Sequence, residues 1–266
     1  MGRIQGKTAI VLGVAPGNMG VAIARRFVQE GAQVMIAGRR PEPLQQLAAE
    51  IGAAATPCDI TVEADIERLV QSTLERFGRI DVAVNATGWG LLKPFTEHTR
   101  SDLERMAAVQ FTGPFQFLQA LVKAMKHGGS IIQISSVTAT IMFDQHAAYM
   151  GTKAGMDHVI RCVAHEFGDR GIRANSISPG GTADTPMSGG GLNFEPVKQL
   201  YNREIPLQRP GVAEDVVNAA LWLASDESSF VTGQNLQVNG GQTLRRNPRL
   251  QEVYAAFGAA PPKAAQ

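Results

Sequence analysis

Short apolar segments alternate with longer amphipathic segments along this chain, and that alternation restricts its fold more than any other feature. The short segments are apolar at consecutive positions, which is typical of strands buried on both faces of a sheet. They are Thr8–Leu12, Gln33–Ala37, Arg79–Val84, Ser130–Ile134, Ile172–Ile177 and Asn235–Val238. The segments with helical spacing are Val21–Gln29, Leu44–Glu50, Glu63–Phe77, Ser101–Lys126, Ala147–Phe167 and Ala213–Ala224. The alternation predicts an α/β fold: one doubly wound parallel sheet with helices on both faces.

Length and charge restrict the class of partner. A chain of 266 residues fits one domain of this architecture. Its formal net charge of +1 argues against nucleic acid or an anionic membrane as the main partner, and favours a small molecule. No segment is apolar for long enough to be a signal peptide or to span a bilayer. Cys58 and Cys162 lie far apart in apparent core segments, so we expect buried free thiols and a cytoplasmic location.

Two segments depart from the alternation. Residues 182–206 contain Gly189-Gly190-Gly191 and three prolines, and we expect a substrate lid there rather than an ordered surface loop. After Gly241 the chain is rich in Arg, Pro and Ala, a composition that predicts a partly disordered tail over 242–266. Residues 1–241 are therefore expected to form the folded domain.

A glycine-rich turn follows the first predicted strand and leads into the first helical segment. Glycine lets the backbone approach a pyrophosphate closely, while the N–H groups at the helix N-terminus stabilise its charge. The spacing differs from Gly-x-Gly-x-x-Gly. The residues expected to contact the cofactor here are Gly13, Gly17, Asn18, Met19 and Gly20.

The second predicted strand is followed by Arg39 and Arg40. A cofactor with a free ribose 2′-hydroxyl is usually met at this place by an acidic residue. A guanidinium suits the 2′-phosphate of NADP instead, because it donates bidentate hydrogen bonds to phosphate. The sequence thus favours NADP. The alternative is that both arginines are solvated charges at a strand end.

Tyr149 and Lys153 are four residues apart in a predicted helix and therefore share one face. An ammonium near a phenol favours the phenolate, so we expect Lys153 to lower the pKa of Tyr149. Ser136 follows another predicted strand, where its hydroxyl can hold a reacting oxygen. The three side chains together suggest a proton-transfer site.

These features resemble the short-chain dehydrogenase/reductase family over essentially all of residues 6–241. The matching motifs occur in the family's order: the glycine loop, Asp59-Ile60, Asn85-Ala86-Thr87-Gly88, Ser136, Tyr149, Lys153, Ser178-Pro179-Gly180 and Thr232-Gly233-Gln234 with Val238-Asn239-Gly240-Gly241. The resemblance implies a Rossmann-type fold. It also implies hydride transfer between a nicotinamide cofactor and a ketone, aldehyde or alcohol, with NADP favoured and NAD possible.

The resemblance assigns roles to individual residues. Tyr149 transfers the substrate proton, Ser136 positions the carbonyl, and Lys153 binds the nicotinamide ribose. The remaining cofactor contacts that it implies are Asp59, Ile60, Asn85, Ala86, Pro179, Gly180 and Thr182. The substrate-pocket residues that it implies are Trp89, Phe143, His146 and Phe194.

Three features differ from the family's pattern. The glycine loop is one residue longer, with Leu12 at the usual threonine. Gln110 replaces an asparagine that is thought to hold a proton-relay water. The run after Pro179 is also extended, so that either Thr182 or Thr185 meets the carboxamide, and we favour Thr182.

The resemblance further implies a homodimer or homotetramer. In such relatives, helices corresponding to Ser101–Lys126 and Ala147–Phe167 pair across a two-fold axis, and Thr232–Gly241 forms a second interface. No metal is expected, because the histidines share no ligand spacing with cysteines or carboxylates. Two alternative functions stay open: a weakly active or inactive cofactor-binding regulatory protein, and an enoyl reductase.

Overall fold

A parallel sheet forms the centre of the computed structural model, which describes residues 2–186 and 190–259. Within these residues the strands are β1 Thr8–Leu12, β2 Gln33–Gly38, β3 Ala54–Pro57, β4 Val82–Asn85, β5 Gly129–Ile134, β6 Ile172–Pro179 and β7 Asn235–Val238. Their order is β3-β2-β1-β4-β5-β6-β7, and all neighbours pair in parallel. The predicted doubly wound α/β fold is confirmed. Strand β3 was missed by the apolar pattern, because this four-residue edge strand is mostly half-buried.

Helices connect the strands and cover both faces of the sheet. They are α1 Met19–Gln29, α2 Pro41–Ile51, α3 Glu63–Phe77, α4 Arg100–Ala107, α5 Gly113–Ala124, α6 Ala147–Phe167, α7 Glu195–Glu204, α8 Ala213–Ala224 and α9 Leu250–Ala256. The predicted bounds of α3, α6 and α8 agree with the structure. The expected helix over Ser101–Lys126 is instead two helices, α4 and α5, joined by a π-helical turn at Ala108–Thr112.

Alternate residues of the central strand enter opposite halves of the core, as the period of a strand requires. Ala9 and Val11 of β1 pack in one cluster with apolar residues of α1, α2 and α8. Ile10 and Leu12 pack in the other cluster with residues of α3, α5 and α6. Because both faces are apolar, the polar groups needed for chemistry lie at the ends of the strands.

The chain after β7 folds back toward the loop that precedes α6. The backbone N–H of Leu250, at the start of α9, donates to the carboxylate of Asp144 over 2.9 Å, and the side chain of Leu250 is buried. The remainder of the expected disordered tail, 260–266, lies outside the described residues, as do residues 187–189 of the expected lid.

One expectation about the cysteines is wrong. Cys58 is buried, but Cys162 is exposed. Cys162 lies on α6 between the buried positions Ile160 and Val163, and the rotation of a helix by about 100° per residue directs it away from the core. In the described part of the chain, no helix combines the length and apolar character needed to cross a membrane.

Candidate active site

The residues expected to bind cofactor and substrate meet at the carboxyl edge of the sheet. The glycine loop follows β1, Arg39 follows β2, Asp59 follows β3, and Asn85 ends β4. Ser136 comes just after β5. Parallel strands bring these loops to one edge, on either side of the point between β1 and β4 where the strand order reverses.

Asn18 organises the glycine loop through its side chain. Its amide oxygen accepts hydrogen bonds from the N–H of Ala15 at 3.2 Å and of Val21 at 3.1 Å, so that it caps α1. Its amide nitrogen donates to the Gly13 carbonyl over 2.7 Å. The first N–H groups of a helix have no partner within the helix, so the amides of Met19 and Gly20 remain at the positive end of α1.

Close backbone contacts explain the glycines of this loop. A Cβ at Gly13 would lie 2.5 Å from the Thr87 nitrogen, and one at Gly20 would lie 2.9 Å from the Gly13 oxygen. Gly17 has a φ of +73°, which favours glycine. The loop and the helix start together make a backbone cradle that fits a pyrophosphate.

Arg39 and Arg40 extend from the end of β2 into solvent. A Cβ at Gly38 would lie 2.2 Å from the Val14 oxygen, so this strand end packs directly against the glycine loop. Within the described residues, neither guanidinium donates a hydrogen bond to another protein group. The position fits an anion at the far end of a nucleotide that lies along the loop.

The turns after β3 and β4 are organised by their own side chains. The carboxylate of Asp59 accepts hydrogen bonds from the N–H and hydroxyl of Thr61 at 2.9 and 2.8 Å, and Ile60 is buried. The amide oxygen of Asn85 accepts from Thr87 N–H and hydroxyl, while its nitrogen donates to Gln133 over 3.0 Å. Ala86 follows directly and packs against the core.

The run after β6 folds so that Thr182 is buried. Its hydroxyl donates to the Gly180 carbonyl over 3.0 Å, and its backbone pairs with Gly211. Pro179 is the last residue of β6. The alternative residue, Thr185, donates back to the Thr182 carbonyl over 3.4 Å.

Tyr149 and Lys153 lie on the buried face of α6, and both are nearly inaccessible to solvent. The Lys153 ammonium donates to the Ile134 carbonyl at the end of β5 over 2.8 Å, and it lies 5.7 Å from the centre of the Tyr149 ring. The hydroxyl of Ser136 is half-buried beside this pair and contacts the Thr138 hydroxyl at 2.9 Å.

The expected lowering of the Tyr149 pKa is not found. Burial raises the pKa of Tyr149, and the hydroxyl of Ser136 opposes that rise. Burial also lowers the pKa of Lys153 to about 8, while the carboxylate of Asp157 acts in the opposite direction. The physical reason is that both groups lose hydration on burial.

Gln110 lies in the π-helical turn and is buried. Its amide nitrogen contacts the Met106 sulfur at 2.9 Å and the Thr152 hydroxyl at 3.3 Å. Its amide oxygen is buried without a hydrogen-bond partner among the described residues. A π turn adds a residue to the helical repeat, so the backbone is displaced at Gln110. This is the position at which the chain has glutamine in place of the shorter asparagine.

Three of the four expected pocket residues lie in the loops around Tyr149. His146 stacks on the Tyr149 ring, with centroids 4.3 Å apart, and contacts Phe143 edge-on. Trp89 lies beneath the Arg105 guanidinium at 4.1 Å. Phe194 instead stacks on Phe257, beyond α9, at 5.0 Å.

Sequence reasoning missed a group of buried polar residues behind Lys153. Asp157 is 6% exposed and accepts hydrogen bonds from Ser135 and Asn235. Its spacing of four residues from Lys153 was visible in the sequence and places it on the same helix face. The partners Ser135 and Asn235 belong to other elements, so only the fold brings them to it.

Comparison with known proteins agrees with this geometry. The family model described as enoyl-(acyl carrier protein) reductase matches residues 13–243. D-threitol dehydrogenase of Mycolicibacterium smegmatis is 33% identical, with 91% of this chain and 95% of that protein covered. Momilactone A synthase of Oryza sativa subsp. japonica is 36% identical, with 96% and 94% covered.

A solved structure shows the same fold. A short-chain type dehydrogenase/reductase from Mycobacterium ulcerans superposes with a TM-score of 0.89 at 32% identity, covering 97% of this chain and 99% of that one. The same conclusion follows from the strand order of this chain, its glycine cradle and its sequence relatives. This chain belongs to the short-chain dehydrogenase/reductase family of oxidoreductases, whose members use nicotinamide cofactors.

Proposed function

We propose that the protein is an NADP-dependent oxidoreductase that interconverts a ketone or aldehyde with an alcohol. The observation that carries this proposal is the joint placement of Tyr149, Lys153 and Ser136 at the sheet edge, next to a loop that fits a pyrophosphate. A relative that is named as a dehydrogenase of D-threitol supports an alcohol as substrate.

The cofactor is held by backbone and charge. Met19 and Gly20 meet its pyrophosphate with their N–H groups, and Arg39 and Arg40 meet a 2′-phosphate. Asp59, Ile60, Asn85 and Ala86 line the adenine side, and Pro179, Gly180 and Thr182 line the nicotinamide side. When bound, the nicotinamide supplies or accepts the hydride.

Protein side chains transfer the proton of the reaction. Ser136 donates a hydrogen bond to the substrate oxygen, and Tyr149 exchanges a proton with that oxygen. Burial raises the pKa of Tyr149, so the phenol stays protonated at neutral pH, which is the form that reduction of a carbonyl requires. Lys153, anchored to the Ile134 carbonyl, holds its positive charge 5.7 Å from the centre of the Tyr149 ring.

The substrate lies over Tyr149 between two walls. The loops that carry Trp89, Phe143 and His146 form one wall, and the described residues 190–206 of the expected lid, with Phe194 stacked on Phe257, form the other. The N–H of Lys93 donates to the Gln145 carbonyl over 2.7 Å, which joins the two loops of the first wall. Aromatic walls of this kind favour a substrate with apolar surface next to its reacting oxygen.

An enoyl reductase is the second candidate, because the matching family model carries that description. Tyr149 and Lys153 are only one helical turn apart, whereas enoyl reductases of this fold space the two residues more widely. Parallel assays of a ketone panel and an enoyl thioester separate the two activities. Cofactor binding without turnover on either panel would favour the third alternative, a regulatory protein.

We expect Tyr149→Phe to leave cofactor affinity nearly unchanged and to lower turnover by about 100-fold or more, the usual scale for a general acid or base. Steady-state kinetics and cofactor titration measure the two quantities. Tyr254→Phe, at a half-buried tyrosine of α9, is the matched control and should leave turnover unchanged. A loss below about threefold for Tyr149→Phe would remove Tyr149 from the proposed role.

Arg39→Ala is expected to raise the Michaelis constant for NADPH by roughly 10- to 100-fold, because each hydrogen bond to a charged group contributes about 1.5–3 kcal/mol. The constant for NADH should change little, since NADH has no 2′-phosphate. Arg79→Ala, at an arginine just before β4 on the opposite edge of the sheet, is the control. Equal effects of Arg39→Ala on both cofactors would contradict NADP preference.

The buried amide oxygen of Gln110 supports a proton-relay water at this position. If Gln110 holds that water, Gln110→Ala should cut turnover without changing cofactor affinity. If the side chain meets the substrate instead, the same variant should change relative kcat/KM values among ketones. Gln110→Asn keeps the amide and is the control for the relay. Unchanged turnover and unchanged preference in Gln110→Ala would leave Gln110 a structural helix residue.

The chain is further proposed to form a homotetramer. Leu103 of α4 and Phe115 of α5 are exposed, and Phe230, just before the 232–241 segment, is fully exposed. Light scattering at micromolar concentration should give the mass of four subunits. Phe230→Ser should reduce that mass by weakening the second interface. A wild-type mass of one subunit would contradict the proposal.

A further inference from the structure

A buried carboxylate lies one helical turn beyond the candidate catalytic lysine. Tyr149, Lys153 and Asp157 form a stripe on the buried face of α6, with a spacing of four positions between successive members. Asp157 is 6% exposed. An ionised group at such a depth is costly unless charges and hydrogen bonds compensate it.

Hydrogen bonds to Asp157 come from two other parts of the fold. The Ser135 hydroxyl, just after β5, donates to Oδ2 over 2.8 Å, and the Asn235 amide of β7 donates to the same oxygen over 2.6 Å. The other oxygen, Oδ1, is buried without a partner in the described residues. Both donors are neutral, so they stabilise an anion without neutralising it.

The charged groups that act on Asp157 are both on its own helix: Lys153 and Arg161. The strands packed against this face bring uncharged groups, namely Ser135, Ser176 and Asn235. Burial raises the pKa of Asp157, while the two hydroxyls and the two positive charges oppose that rise. Arg161 is exposed, so solvent screens it, and Lys153 is the buried countercharge.

The buried ammonium of Lys153 in turn requires a negative charge near it. Lys153 is 3% exposed, and the hydrogen bond of its ammonium among the described residues goes to the neutral Ile134 carbonyl. We propose that Asp157 is a positioning residue for the candidate catalytic pair: its buried carboxylate balances the charge of Lys153 and anchors Ser135, the neighbour of Ser136. This inference rests on the proposed function, because it assigns Tyr149 and Lys153 to proton transfer.

The charge of Asp157 should also set the direction in which the pH profile of the enzyme shifts. The negative charge of Asp157 raises the pKa of Tyr149 and also that of Lys153. Removing that charge lowers both values. The pair titrates as a unit, so both limbs of the bell-shaped profile of alcohol oxidation should move to lower pH together.

The test is Asp157→Asn, assayed as kcat/KM for alcohol oxidation against pH. Because Oδ2 accepts the hydrogen bonds of both Ser135 and Asn235, the oxygen of an asparagine can retain these two donors while the charge is lost. We expect both limbs to shift to lower pH by about one unit, which is the lower end of the range of pKa changes that a nearby charge causes. Asp157→Glu should restore the wild-type limbs.

Ser135→Ala is the matched control, since it removes a hydrogen bond from Asp157 and keeps the charge. It should lower turnover while moving the limbs much less than Asp157→Asn does. Equal shifts in the two variants would assign the effect to packing and would overturn the proposal. So would an active Asp157→Asn enzyme with unmoved limbs.

Tyrosinate absorbance gives a second readout that needs no turnover. The chain has three tyrosines, and subtracting the titration of Tyr149→Phe isolates Tyr149. That component should titrate at lower pH in Asp157→Asn, and an unchanged midpoint would contradict the charge balance. If Asp157→Asn does not fold, as judged by thermal unfolding, Asp157→Ser serves as the neutral variant. A wild-type protein without turnover would reject the proposed function, while the absorbance titration would still test Asp157.

Discussion

A parallel sheet packs apolar side chains against helices on both of its faces, and this packing fixes where every other element of the fold lies. Helices cover each face, so most strand residues are buried among apolar side chains. Because all of the described strands run in the same direction, the loops that follow them lie at one edge of the sheet. The glycine loop, the arginines after β2, Asn85 and Ser136 come from different parts of the chain, and this topology alone explains why they meet.

Close backbone approach is the second determinant of the site. Glycines at 13, 20 and 38 let the loop, the start of α1 and the end of β2 pack with their main chains in contact. Asn18 then supplies the cap and ties α1 to the loop. The extra residue in the loop is accommodated by these contacts, and the backbone cradle for an anion remains.

Helix α6 carries the three titratable groups of the site whose burial costs solvation free energy. It buries a phenol, an ammonium and a carboxylate on one stripe, where each charge is hydrated poorly and interacts strongly with the others. This arrangement explains why burial, rather than the nearby lysine, dominates the pKa of Tyr149. It also couples proton transfer on α6 to stability, because burial shifts the pKa of each of these three groups.

The amino-acid pattern alone predicts the α/β alternation, most of the strands, the bounds of α3, α6 and α8, and the loops that carry the candidate site. These features depend on local periodicity and on glycine or polar residues at segment ends. The pattern did not predict strand β3, the π turn at Gln110 or the exposure of Cys162. Strand pairing at a sheet edge and the rotation of a helix depend on the elements that pack beside them. The contact of Ser135, Asp157 and Asn235 behind Lys153 is visible only in the folded chain. Hydrogen bonds between side chains from the end of β5, from α6 and from β7 form once the sheet and its helices have packed.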